Sequence, residues 1–228
     1  MSAGWKYEPQ SGLGRFIHTF EENAIAVALG LMTLLTFVNV VLRYAFNSAI
    51  IWSLEVTLVL FAWLVLFGIS YGFKVTAHLG VDALVNAVPS RAKRVLAVLA
   101  GLLTLFYAML LFKGAWDYWA PFAELPPTTG RWFPTGLDWD ARGTSYFETD
   151  QIPMLEWLRW LEEAINYGER YSKMPRMIPY IILPLATALI LYRVIQAFLR
   201  ILSGEQMSLI VSHEAEEAVE EAAALNRE

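Results

Sequence analysis

Val95-Leu-Ala-Val-Leu-Ala-Gly101-Leu-Leu-Thr-Leu-Phe106-Tyr-Ala-Met-Leu-Leu-Phe112 carries no charged side chain, and Arg91, Lys93 and Arg94 stand just before it. The run is close to the roughly 20 residues an α-helix needs to cross about 30 Å of hydrocarbon. Lipid offers backbone amides no partner, so a lone segment of this kind satisfies them internally as a helix. Working outward, residues 24–42, 56–73 and 178–199 repeat the pattern. The sequence therefore predicts an all-α membrane protein with four transmembrane helices, interfacial amphipathic helices and a long periplasmic loop between helices three and four. The expected divisions are 1–112, 113–176, 177–202 and 203–228.

Composition agrees. The chain is 57% hydrophobic and only 17% charged, with mean hydropathy +0.43, whereas soluble domains carry about 25% charged residues. It has no cysteine, which excludes disulfides, thiol nucleophiles and Cys-ligated metal centres. The net charge of −5 is uneven, because Glu205, Glu214, Glu216, Glu217, Glu220, Glu221 and Glu228 crowd the stretch after the last span, against Arg227. No basic stripe suggests nucleic-acid binding. The first span reads as a retained helix, since it lacks a small-x-small cleavage site and more spans follow.

Four spans put both ends of the chain on one side. Lys6, Arg15, Lys74, Arg91, Lys93, Arg94 and Arg200 would share that side, while the short loop 44–51 holds no Lys or Arg. The positive-inside rule then predicts both termini in the cytoplasm of an inner-membrane, multi-pass protein. Leu13, Phe16, Ile17 and Phe20 form a helical stripe before the first span, and Val81, Leu84, Val85 and Val88 form another in the second loop. Each is either a membrane-surface connector or a brace for a partner protein. Ser90 is placed to cap the third span. In the fourth, Pro184 is expected to kink the helix and Arg193 to snorkel toward water.

Residues 113–176 open with Trp116 and Trp119, aromatics suited to a membrane interface. Leu125-Pro-Pro-Thr-Thr-Gly130 cannot be helical, and Trp132, Phe133, Trp139, Tyr146 and Phe147 follow. A helical pattern returns with Trp157, Trp160, Leu161, Ala164 and Ile165 on one side. So many aromatics oppose simple disorder, and the segment reads as an ordered cap on the outer membrane face.

Few residues invite chemistry. Arg43 ends the first span and Glu55 begins the second, so an antiparallel hairpin sets both at one depth. They either pair, fixing the hairpin, or reach water separately; a transport role for Glu55 is the third reading. Asn39 suits an interhelical hydrogen bond. His78 and Asp82, at i and i+4, are too few for a zinc site. His18, His78 and His213 lie outside the span interiors, which disfavours haem. No cofactor, metal or catalytic residue is expected, and the internal repeats and midplane polar site common in secondary transporters are missing.

The series Arg43-Tyr-Ala-Phe46-Asn47, Ile51-Trp52-Ser53-Leu-Glu55, Phe61-Ala-Trp63, Gly68 and Ala77-His78-Leu-Gly-Val81-Asp82 resembles the small, DctQ-like membrane subunit of tripartite ATP-independent periplasmic (TRAP) transporters. Pro175-Arg-Met-Ile-Pro179-Tyr-Ile-Ile-Leu-Pro184 continues the likeness, and the long insert resembles subunits of C4-dicarboxylate systems. The resemblance implies a non-catalytic subunit of a sodium-coupled importer. Its partners would be a large, DctM-like transport subunit and a periplasmic, DctP-like solute-binding protein. It also implies structural or subunit-contact roles for Arg43, Asn47, Trp52, Glu55, His78 and Asp82. The charged groups of the cap, Arg131, Asp138, Asp140, Arg142, Glu148 and Asp150, are then candidates for docking the binding protein. Two other classes stay open: the anchor of another inner-membrane complex, and a self-assembling channel or transporter.

Overall fold

The computed structural model describes residues 12–74 and 90–203. His78, Asp82, the stripe at 81–88 and the acidic segment after residue 203 lie outside them. Among the described residues, four helices are long and apolar enough to cross a membrane: Gly14–Ala45, Ser53–Gly72, Arg94–Ala123 and Met177–Ser203. They belong to α1 (Gly12–Ala45), α2 (Ser53–Lys74), α3 (Ser90–Trp119), the short α5 (Met177–Tyr180) and α6 (Ile182–Ser203). The all-α membrane architecture is as expected.

The stripe at Phe16, Ile17 and Phe20 does not form a separate interfacial helix. Glu21, Glu22 and Asn23 supply no helix breaker, so α1 runs unbroken through it, about 51 Å at 1.5 Å per residue. Its first third lies along α2, where the Phe20 ring meets Phe67 edge-on at 5.8 Å and His18 stacks on Tyr71 at 6.2 Å.

Bundle order runs α1, α2, α6, α3, each packing on the next. The fourth span is the centre: 44% of its apolar window is buried, against 6–17% in the others. Phe67 of α2 packs with Ile182 and Ala186, and Ala108 of α3 packs with Ile190 and Val194. Close approach of α3 to α6 depends on Gly101, where a Cβ would sit 2.5 Å from the Phe198 ring. Gly101→Val is expected to cost about 1–3 kcal/mol through overpacking. Thermal unfolding in detergent checks this, and an unchanged midpoint removes the contact from the packing argument.

The kink expected from Pro184 is a break between α5 and α6 at Ile181. Proline has no N–H to return to Tyr180, so the helix is interrupted. Two tryptophan indoles donate to carbonyls at this entry. The Trp63 indole N–H donates to the Pro179 carbonyl at 2.9 Å, and that of Trp119 donates to Met177 at 2.9 Å. Trp119 is therefore buried and structural, beyond marking the interface.

Between α3 and α5 lies the cap. A 3-10 turn (Ala120–Ala123) leads to two small antiparallel pairs, β1 (Thr128–Thr129) with β2 (Gly136–Leu137) and β3 (Glu148–Pro153) with β4 (Lys173–Pro175). Leu125-Pro-Pro-Thr-Thr-Gly130 is non-helical as expected. The helical return differs: a 3-10 turn at Glu156–Leu158 precedes α4 (Trp160–Ile165). That break resets the periodicity, so Leu158 and Leu161 pack inward with Met154 and Tyr171, while Trp157 and Trp160 are exposed.

Candidate functional site

Two polar constellations tie this fold together, and the larger joins cap to bundle through Glu55. The chain leaves α1 through Asn47, whose left-handed backbone (φ +50°) ends the helix. The Phe46 and Ser48 N–H groups both return to the Leu42 carbonyl. Asn39 Oδ1 accepts the Ile50 N–H at 3.0 Å, fixing the turn instead of reaching another span. Trp52 is half-buried and precedes Ser53, whose hydroxyl donates to the Ile50 carbonyl at 2.7 Å. This geometry presents Glu55 from the first turn of α2, where the helix dipole favours a carboxylate.

Glu55 does not pair with Arg43, which is exposed and has no ion-pair partner among the described residues. Its carboxylate instead accepts three consecutive backbone N–H groups of β3: Asp150 at 2.9 Å, Gln151 at 2.6 Å and Ile152 at 3.1 Å. Three converging amides out-compete a guanidinium on a mobile stem, since the strand is already held by its own pairing. The side chain thus anchors the cap to the first turn of α2.

Of the other charged cap residues, Glu148 is absorbed in the same way. It accepts the Ser172 N–H, the Ser172 hydroxyl and the Lys173 N–H at 2.9–3.0 Å. Asp138 turns back to accept the Asp140 N–H at 3.2 Å. Arg131 lies 5.6 Å over the Trp132 ring, on the β1–β2 loop. Asp140 and Asp150 are exposed, with Asp150 3.7 Å from Arg176. Arg142 lines a polar recess of about 520 Å³ with Glu124, Tyr146, Glu148, Tyr167 and Arg170. Asp140, Arg142 and Asp150 thus keep accessible charge, whereas Glu148 and Asp138 serve the cap's own shape.

Beneath that recess Tyr171 donates to the Ser145 carbonyl at 2.8 Å. Burial, with Glu148, Glu124 and Glu162 nearby, pushes the phenol up to about 12 from 10. The folded cap prefers the neutral phenol, so this contribution is complete below pH 10 and is lost as pH rises from 10 to 12. Tyr171→Phe is expected to remove that portion of alkaline destabilisation. Identical stability-versus-pH curves for both proteins would contradict it.

The second constellation joins α1, α2 and α6 at the opposite end. Glu21 is fully buried and accepts the Ser70 hydroxyl at 2.8 Å. Its other oxygen faces Arg193 Nη2 at 3.4 Å. Arg193 also donates to Gln196 at 3.1 Å and lies 5.6 Å from the Tyr192 ring. The arginine does not snorkel; only 4% of it is exposed. Sequence reading missed Glu21, although an arginine inside a span calls for an acid of matching depth.

Among the described residues no group of three His, Asp or Glu is placed to hold a metal ion. A polytopic α-helical membrane protein with an ordered cap between its third and fourth spans is the class that these features define. Residues 32–137 match the family model described as Tripartite ATP-independent periplasmic transporters, DctQ component. The chain is 42% identical over 210 residues to the C4-dicarboxylate TRAP transporter small permease protein DctQ of Vibrio cholerae, covering 92% of this chain and 83% of that one. It is 36% identical over 133 residues to the protein of the same description from Pseudomonas aeruginosa, covering 46% of this chain and 63% of the relative. A putative TRAP transporter small permease protein of Haemophilus influenzae is 34% identical over 121 residues, 50% of this chain and 75% of its own. The chain belongs to the DctQ family of TRAP transporter components, which are transporter subunits and not enzymes. The family match ends within the β1–β2 hairpin, so most of the cap lies beyond it.

Proposed function

We propose that this chain is the small permease subunit of an importer of C4-dicarboxylates, working with a larger membrane subunit and a soluble binding protein. The observation that carries this is the 42% identity to the Vibrio cholerae C4-dicarboxylate small permease, over an alignment long enough to include the cap. The chain would act as a non-translocating brace in a sodium-coupled system, with both termini cytoplasmic and the cap in the periplasm. The described spans support this reading: their buried charges, Glu21 and Arg193, pair with each other.

In this reading the cap meets the binding protein through Asp140, Arg142 and Asp150. Such rim charges act mainly on association rate and its salt dependence. Asn47, Trp52 and Glu55 serve indirectly by holding the first hairpin and the cap in place, while the exposed Arg43 is left for contact with the larger subunit. The proposed subunit-contact roles of His78 and Asp82 rest on the family resemblance alone.

Extraction of the tagged chain in mild detergent tests the reading. The expected result is a stoichiometric, much larger polytopic partner, together with loss of C4-dicarboxylate uptake when this chain is deleted. Recovery of the chain alone, in several detergents that preserve other complexes, with uptake unaffected by deletion, would overturn it. Charge reversal at Arg142 is expected to lower uptake most when the binding protein is scarce; equal uptake at every binding-protein concentration removes Arg142 from the docking face.

A further inference from the structure

The β1–β2 hairpin does not rise away from the helices. Its base is tied to α3, where Asp117 accepts the Thr128 N–H at 2.6 Å and the Thr128 hydroxyl at 2.7 Å. Lys113 pairs with the same carboxylate. From there the hairpin runs back along α3, because the Phe133 ring lies 5.6 Å from that of Phe106. Phe106 is about three helical turns, roughly 16 Å, from Asp117 toward the middle of the span. The tip therefore lies alongside the apolar part of the third span, past its polar end at Lys113 and Asp117.

This tip is a fixed turn. The Thr135 N–H donates to the Thr129 carbonyl at 2.9 Å. Gly130 has φ +93°, and a Cβ there would lie 2.2 Å from the Phe133 carbonyl oxygen. The turn presents Arg131-Trp132-Phe133-Pro134, with Trp132 and Phe133 each 58% exposed. No acidic side chain pairs with Arg131 among the described residues.

We infer that the hairpin tip is inserted into the bilayer leaflet on the cap side, as a lipid-bound anchor beside the third span. Phe133 and Trp132 lie at the acyl boundary, an environment that suits aromatic rings. Arg131 runs its apolar stem along Trp132 and brings its guanidinium up to lipid phosphate, whose charge it complements. A soluble protein cannot reach this depth. The unpaired cation favours anionic headgroups over the apolar flank of another membrane subunit. The inference separates Arg131 from the docking residues of the cap and does not depend on which solute is carried.

The cysteine-free sequence allows the test directly. Nitroxide labels are placed one at a time at Trp132→Cys, Phe133→Cys and Trp139→Cys in the full chain. Each is reconstituted, with the membrane proteins that co-purify, in phosphatidylcholine–phosphatidylglycerol vesicles. Collision with oxygen is expected to exceed collision with a water-soluble nickel chelate severalfold at 132 and 133, and the reverse at 139. Nickel access at 132 and 133 would place the tip in water and overturn the inference. Shielding from both reagents in the complex, relieved in the chain alone, would replace lipid with another subunit as the occupant. As a label-free arm, Trp132→Phe is expected to lower the fraction of tryptophan emission quenched by lipids brominated near the headgroup. An unchanged fraction counts against insertion.

Discussion

Glu55→Gln is expected to release the cap from the helices while leaving the four spans in place. The native carboxylate accepts three adjacent backbone N–H groups at 2.6–3.1 Å. Hydrogen bonds to a charged group contribute about 1.5–3 kcal/mol each. Asp150 and Gln151 are exposed, so water recovers part of the loss. A net destabilisation of the cap–helix contact of about 3 kcal/mol follows. Glutamine removes the charge and turns an amide NH2 toward other N–H donors, so it does not restore the site. Hydrogen exchange at residues 150–152 is the direct readout, with an expected acceleration of about a hundredfold for that loss. Unchanged exchange there would refute the anchoring role. Arg43→Gln is expected to leave exchange in the same segment unaltered, because Arg43 does not touch Glu55.

Removing one member of the Glu21–Arg193 pair is the other large perturbation. Both side chains are almost wholly buried, so Arg193→Ala or Glu21→Gln leaves one partner's charge without its counter-ion. Such a loss costs about 3–5 kcal/mol, mostly the penalty of the uncompensated charge. The expected result is loss of the folded chain in detergent or sharply reduced thermal stability. Replacing both by apolar residues, Glu21→Leu with Arg193→Met, removes the two charges together and is expected to restore much of the stability. Ser70 then lacks its acceptor, which leaves the rescue incomplete. Strictly additive single effects in this double-mutant cycle would show that the pair does not couple α1 to α6.

The contrast between these two glutamates explains how far the sequence could be read. Glu55 stands out because it sits at the end of an apolar run, yet neither Arg43 nor water alone is its partner: it accepts three backbone amides of the cap. Depth matching offers Arg43 as a partner, but no local pattern announces that a strand from a distant insert will bring three amides to the same place. Glu21 failed to stand out because Phe16, Ile17, Phe20 and the following Glu22 resemble a surface stripe. Only the unbroken course of α1 carries that residue into contact with α6. The face of α4 was misjudged for a related reason: the 3-10 turn before it shifts the register that a continuous 3.6-residue period assumes.

By itself the sequence determined the four spans, the interruption of the last helix near Pro184, the non-helical stretch at 125–130 and the family resemblance. These depend on properties local to a segment: apolar length, the missing proline N–H and ordered short motifs. Tertiary structure alone decided which carboxylate holds which partner, that α6 is the centre of the bundle, and that the hairpin folds back along α3. Those outcomes depend on where residues distant along the chain meet, because a buried charge or a freed carbonyl is satisfied by whichever donor packing brings within reach.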